Sequence, residues 1–254
     1  MNGVVVAGFW GLVGGSALLI GALVGYFASL PQRLIAGIMA VGAGVLISAV
    51  AFDLMDEAYA QGGFDSTALG FVGGALAYTL ANIVISRRGA RHRKRSGSNP
   101  DESLPDADST SSSGLAIAVG ALLDGIPESV VIGVSLLQGA GVSIVTVAAV
   151  FLSNVPEGLS SAAGMRRAGH GKAYVFGVWG GIAVLSGVAA ALGNLLLAGA
   201  APATIAGVTA LAAGAILAML VDTMIPEATE ATHDYSGLIA VLGFLIAFAL
   251  TKLE

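Results

Sequence analysis

The chain has 254 residues, 56% of them apolar and only 11% charged, with a formal net charge of −5 and a mean hydropathy of +0.88. A soluble domain carries roughly 25% charged residues, so this composition excludes a soluble fold, and its acidity argues against a nucleic-acid partner. With no cysteine, disulfides and thiolate metal sites are excluded as well. The class that remains is an all-α polytopic membrane protein with the lipid bilayer as its surroundings.

Crossing a hydrocarbon core of about 30 Å takes about 20 apolar residues in a helix. Such runs lie near 5–30, 33–59, 64–86, 114–138, 142–165, 173–198, 203–228 and 236–252, which predicts eight spans. The first run has neither a basic leader nor a small-residue cleavage site and reads as a retained span. None of the runs shows the alternation of a transmembrane β-strand. Residues 87–113 are polar, opening on Arg87, Arg88 and the cluster Arg91 to Arg95 and closing on Asp101, Glu102, Asp106, Asp108 and a Ser/Thr run. They read as a disordered tether inside a single transmembrane domain covering 1–254.

Ten of the eleven Lys and Arg residues fall in the connections after spans 1, 3 and 5, and only Lys252 lies on the other side. By the positive-inside rule the odd connections, including loop 87–113, are cytoplasmic and both termini are outside. The expected location is the plasma (inner) membrane.

Span 2 ends Asp53-Leu54-Met55-Asp56-Glu57-Ala58, and span 7 ends Asp222-Thr223-Met224-Ile225-Pro226-Glu227-Ala228. With one inserted residue both read Asp-x-Met…Glu-Ala after a run of small residues. Spans 1–3 and 6–8 therefore look like two copies of a three-helix unit. An odd number of helices inverts the second copy, a recurrent plan of secondary transporters. Spans 4 and 5 match each other through Asp124-Gly125-Ile126-Pro127-Glu128-Ser129 and Ser153-Asn154-Val155-Pro156-Glu157-Gly158. The plan is 3+2+3. Gly11/Gly15, Gly21/Gly25 and Gly177/Gly181 are small-xxx-small pairs expected to be packing faces.

The ionisable residues inside the spans are Asp53, Asp56, Glu57, Asp124, Glu128, Glu157, Asp222 and Glu227, all of them acids. An ionised carboxylate at a helix centre costs about 2.5–3.5 kcal/mol to insert. No Lys, Arg or His lies deep enough in a span to pair with them, so the counter-charge is a metal ion or a proton from outside. Asp124 and Glu128 stand one turn apart on one helix face, as do Ser153 and Glu157, with Asn154 three residues before Glu157. Pro127 and Pro156 each remove one backbone hydrogen bond beside these acids, which predicts discontinuous helices at the midplane. These five residues are the candidate metal site. Asp53, Asp56 and Glu57 toward one face, and Asp222 and Glu227 toward the other, extend it into a cation path.

At these residues the chain resembles the ZIP (Zrt/Irt-like) family of divalent metal transporters. The resemblance covers essentially the whole chain: eight spans, external termini, the long connection after span 3 and the 3+2+3 repeat. Family members read His-Asn-x-Pro-Glu-Gly in span 4, a His- or Gln-led Pro-Glu motif in span 5 and His-Glu-x-x-Pro-Glu in span 7. The matching stretches are Asp124 to Ser129, Ser153 to Gly158 and Asp222 to Glu227. The resemblance implies that Glu128 and Glu157 are metal ligands and that Asp124, Ser153 and Asn154 face the transport site. It implies no resident cofactor, no enzymatic step, and zinc as the transported ion, with Mn, Fe or Cd as further candidates.

The chain departs from the family at several points. Asp124, Asp53 and Asp222 stand where His is frequent, Gly125 replaces an Asn, and span 6 has no acid. One metal rather than two is the expectation. An oxygen-only donor set leans toward harder ions such as manganese. A proton-coupled carrier of a small solute, using the same acids as relays, is the alternative reading. An intramembrane metalloenzyme would need histidines or a tightly retained metal plus a general base, and the absence of any span histidine argues against it; saturable, slow flux would count against a channel. The sequence leaves a homodimer open.

Overall fold

The computed structural model describes residues 2–85, 110–138, 143–232 and 234–253. Its elements are α1 (Gly3–Phe27), α2 (Gln32–Ala49), a π-helical turn π1 (Val50–Leu54), α3 (Met55–Ile85), α4 (Thr110–Ser135) with a 3₁₀ turn after it, α5 (Ile144–Arg167), α6 (Lys172–Leu197), α7 (Pro202–Met219), a second π-helical turn π2 (Leu220–Met224), α8 (Ile225–Thr232) and α9 (Ser236–Leu253). No strand occurs among the described residues. The tether expected at 87–113 lies outside them up to residue 109, and residues 110–113 already belong to α4.

Local chemistry sets several of these boundaries. The Ser143 side chain accepts the Thr146 N–H and caps α5. Pro202 sits at the first turn of α7, where its missing N–H is not needed. Pro31 precedes α2 in extended backbone. Arg166 and Arg167 occupy the last turn of α5, where cations complement the helix dipole.

Among the described residues, six helical runs are long and apolar enough to cross a membrane: Gly3–Phe27, Gln32–Ile85, Ile144–Arg167, Lys172–Leu197, Pro202–Glu230 and Ser236–Leu253. The second is 54 residues long, about 80 Å at 1.5 Å per residue, far more than one crossing needs. A break near 60–63 is expected from the sequence, and only Gly63 leaves the helical range there, with φ 69° and ψ −177°. That conformation is open to glycine alone, and it bends the run at one residue instead of ending it in a loop.

The helices pack as two groups. α1 lies along α5 and α6, and α4 along α6; α3 lies along α7, and α2 along α9 and α8. Each group has its own core. Leu18, Ala162, Met165, Val175, Trp179 and Ile182 fill the first. Met39, Leu46, Ile216, Met219, Leu220 and Met224 fill the second, with Tyr78 among them. The groups meet where α2 faces α5 and where α4 faces α7.

Backbone approaches in the second group recur in matched form. A side chain on Gly44 would overlap the Ala240 carbonyl and approach the Phe244 N–H, while one on Gly243 would overlap the Val41 carbonyl. A side chain on Gly214 would likewise overlap the Phe71 carbonyl and approach the Ala75 N–H, and one on Gly74 the Leu211 carbonyl. The α2–α9 contact is therefore repeated, at a constant register, by the α7–α3 contact. α2 and α7 are also both 18 residues long and both run into a five-residue π-helical turn.

The glycine pairs divide. Gly11 and Gly15 press on Ala190, Ser186 and Ala183 of α6, and Gly21 and Gly25 on Val155 and Leu159 of α5. Gly177 and Gly181, expected to form a packing face, have no neighbour within 4 Å of where a Cβ would stand. They mark an open face of α6.

Candidate functional site

All five residues expected to form the metal site are buried. Asp124, Glu128 and Ser153 are each 1% exposed, and Asn154 and Glu157 4%. The structure places them on two helices with different surroundings. α4 packs chiefly on α6 and α7, and α5 chiefly on α1 and α2, so α4 and α5 touch each other only briefly. Both helices run continuously through their prolines, Pro127 and Pro156. The irregular turns lie elsewhere, in π1 and π2, and each carries one of the acids of spans 2 and 7, Asp53 and Asp222. Wide i→i+5 turns inside α-helices are frequent at functional sites.

Asp124 accepts a hydrogen bond from the Tyr78 hydroxyl of α3 at 2.8 Å, with both side chains buried. One turn further along α3, the Asn82 amide donates to Asp222 at 3.2 Å. Glu227 of α8 is 2% exposed and accepts from the buried Ser160 hydroxyl of α5. Two acids on opposite groups thus each take a hydroxyl from the other group: Asp124 from α3, and Glu227 from α5.

The polar groups beside the glutamates are used locally. Ser153 donates to the Val150 carbonyl at 2.9 Å, and Ser129 to the Gly125 carbonyl at 2.7 Å. The Asn154 amide donates to the Gly14 carbonyl at 3.1 Å and ties α5 to α1. Its carbonyl oxygen is the atom left to act as a ligand. A side chain on Gly42 of α2 would stand 2.8 Å from the Pro156 ring and 3.1 Å from the Met224 methyl. α2, α5 and π2 therefore close together beside Ser153.

Among the described residues, no three His, Asp or Glu side chains converge closely enough to hold a metal ion. Asp124, Glu128 and Glu157 share the buried interior without forming such a cluster. The span-2 acids are less buried. Asp56 is exposed and lines a cavity of about 410 Å³ with Met55, Tyr59, Phe64, Thr67 and Phe71. Asp53 and Glu57 are half-buried, and Asp222 is exposed beside Asn82.

No protein-family model matches the chain, and no curated protein does. The functional reading therefore rests on the residues themselves.

Sequence reasoning did not single out Tyr78, Asn82 or Ser160. A signal existed for the first two, which are polar residues four apart on one face of an otherwise apolar stretch. Ser160 lies one turn after Glu157, and only the fold reveals that it meets Glu227.

Proposed function

We propose that the chain is a divalent metal cation transporter that carries metal into the cytoplasm through the carboxylates of α4 and α5. The observation that carries this reading is the near-complete burial of Asp124, Glu128 and Glu157 within an apolar bundle. A buried carboxylate needs a cation or a proton to offset its desolvation. In this reading Glu128 and Glu157 are the principal ligands. Asp124, Ser153 and the Asn154 carbonyl complete an oxygen donor set, which accepts zinc and suits manganese. Asp53, Asp56 and Glu57 serve access from one face, and Asp222 and Glu227 release to the other.

The architecture that goes with this function has eight crossings. Counting α4 and dividing the bent run at Gly63 gives that number. The matched Gly44–Ala240 and Gly214–Phe71 approaches, together with the paired π-helical turns, support an inverted 3+2+3 repeat. The skew of basic residues supports both termini outside the plasma (inner) membrane. The two packing groups cut across the repeats and supply two bodies for alternating access. Because Tyr78–Asp124 and Ser160–Glu227 span the boundary between these bodies, a cation competing for either carboxylate would loosen it.

Metal uptake by proteoliposomes holding the purified chain tests the function. Saturable uptake of zinc or manganese is the expected result, and its absence under an inside-negative potential contradicts the reading.

One observation favours a second reading. The acids are spread out and paired with hydroxyls rather than gathered into one cluster, which also suits a proton relay in a small-solute carrier. Internal acidification without metal flux would distinguish it.

A further inference from the structure

The ends of α1, α2 and α5 enclose a cavity of about 260 Å³ that the transport reading does not use. Arg166 and Arg167 of α5 form one wall, Ser29 and Leu30 of the α1–α2 connection a second, and Ile35 of α2 a third. Arg166 donates to the Tyr26 carbonyl at 2.7 Å, closing the last turn of α1. Arg167 donates to the Gln32 side chain at 3.4 Å. Among the described residues no carboxylate is bonded to either guanidinium. Each guanidinium has five N–H donors in a planar fork, and both side chains line the cavity while remaining exposed.

The surroundings say what kind of anion fits. Leu30, Ile35 and Ala28 make part of the lining apolar. At the same end of the bundle Leu23, Phe27 and Leu34 are 54%, 54% and 49% exposed. Paired cations beside an exposed apolar flank suit an amphiphile with an anionic head. Inorganic phosphate presents the same oxygens to the arginines and gains nothing from the flank.

We propose that this cavity binds the phosphate headgroup of an anionic phospholipid. Arg166 and Arg167 hold its oxygens in the fork geometry that guanidinium offers phosphate, and the acyl chains run along Leu23, Phe27 and Leu34. The cavity joins α1 and α5 of one helix group to α2 of the other, so the bound lipid braces the boundary between them.

Native mass spectrometry of the full chain tests this with equal amounts of dioleoylphosphatidylglycerol and dioleoylphosphatidylcholine. The assay reads lipid rather than metal, so its outcome is independent of the transport reading. The wild-type protein is expected to retain the anionic lipid preferentially, and millimolar inorganic phosphate is expected not to displace it. The R166Q/R167Q protein is expected to bind it about 30-fold more weakly, about fivefold for each basic residue removed. K252Q removes one positive charge from the last turn of α9, where Lys252 lies over Phe52 of π1, and is expected to bind as wild type. Equal retention of the two lipids by the wild-type chain overturns the proposal without recourse to any variant. An equal loss in K252Q also overturns it, and displacement by inorganic phosphate overturns the lipid assignment.

Discussion

The Tyr78 hydroxyl donates to Asp124 at 2.8 Å across the boundary between the two helix groups. Tyr78 is 2% exposed and Asp124 1%, so water does not replace the bond when it is lost. Tyr78→Phe is expected to lower stability by about 1–3 kcal/mol, the cost of leaving a buried acceptor without its partner. The cycle Tyr78→Phe, Asp124→Asn and the double variant should show a coupling of about 1 kcal/mol or more. Thermal unfolding in detergent reads both, and additive losses would contradict the bond.

The matched backbone approaches make a paired prediction. Gly44→Ala and Gly214→Ala each place a methyl on a backbone carbonyl, Ala240 in one case and Phe71 in the other. Overpacking of this kind costs about 1–3 kcal/mol, and the two losses should be similar because the contacts are equivalent. Gly73→Ala has open space and should be neutral or slightly stabilising, by up to about 1 kcal/mol from helix propensity. A large cost at one of the first two glycines and none at the other would contradict the repeat.

Asn154 separates a packing role from a ligand role. Asn154→Asp keeps a ligand oxygen but loses the donor to the Gly14 carbonyl. It is expected to cost about 1–3 kcal/mol of stability while uptake persists at the permissive temperature. Asn154→Leu loses both and should lower metal affinity further. Uptake kinetics beside melting curves check this, and equal affinities in the two variants would remove Asn154 from the donor set.

These residues also show what was legible in advance. Hydropathy alone marks the all-helical class, because lipid demands apolar length. The Asp53 and Asp222 stretches match in sequence, and the fold adds that both lie in π-helical turns after helices of equal length. Pro127 and Pro156 predict broken helices, yet α4 and α5 stay continuous, since a helix can absorb a proline when neighbours satisfy the freed groups. Burial of Asp124, Glu128 and Glu157 follows from their place in apolar runs. The partners Tyr78 and Ser160 do not, because a contact between helices 46 or 67 residues apart in sequence leaves no local pattern. Gly177 and Gly181 show the converse: a local pattern without a partner.

The oxygen-only donor set predicts the order of metal competition. Manganese should compete with zinc for uptake to within about tenfold, because carboxylate, amide and hydroxyl oxygens hold harder ions well. Zinc excluding manganese by several orders of magnitude would contradict the lean toward harder ions while leaving transport itself intact.

The most direct test of the central claim is metal uptake by proteoliposomes carrying Glu128→Gln or Glu157→Gln. Each change keeps the side chain's shape, turns one acceptor oxygen into an NH2 donor and removes the carboxylate from a residue at most 4% exposed. The account predicts inserted, folded protein with metal uptake reduced at least a hundredfold in each variant. Wild-type uptake in both would contradict it.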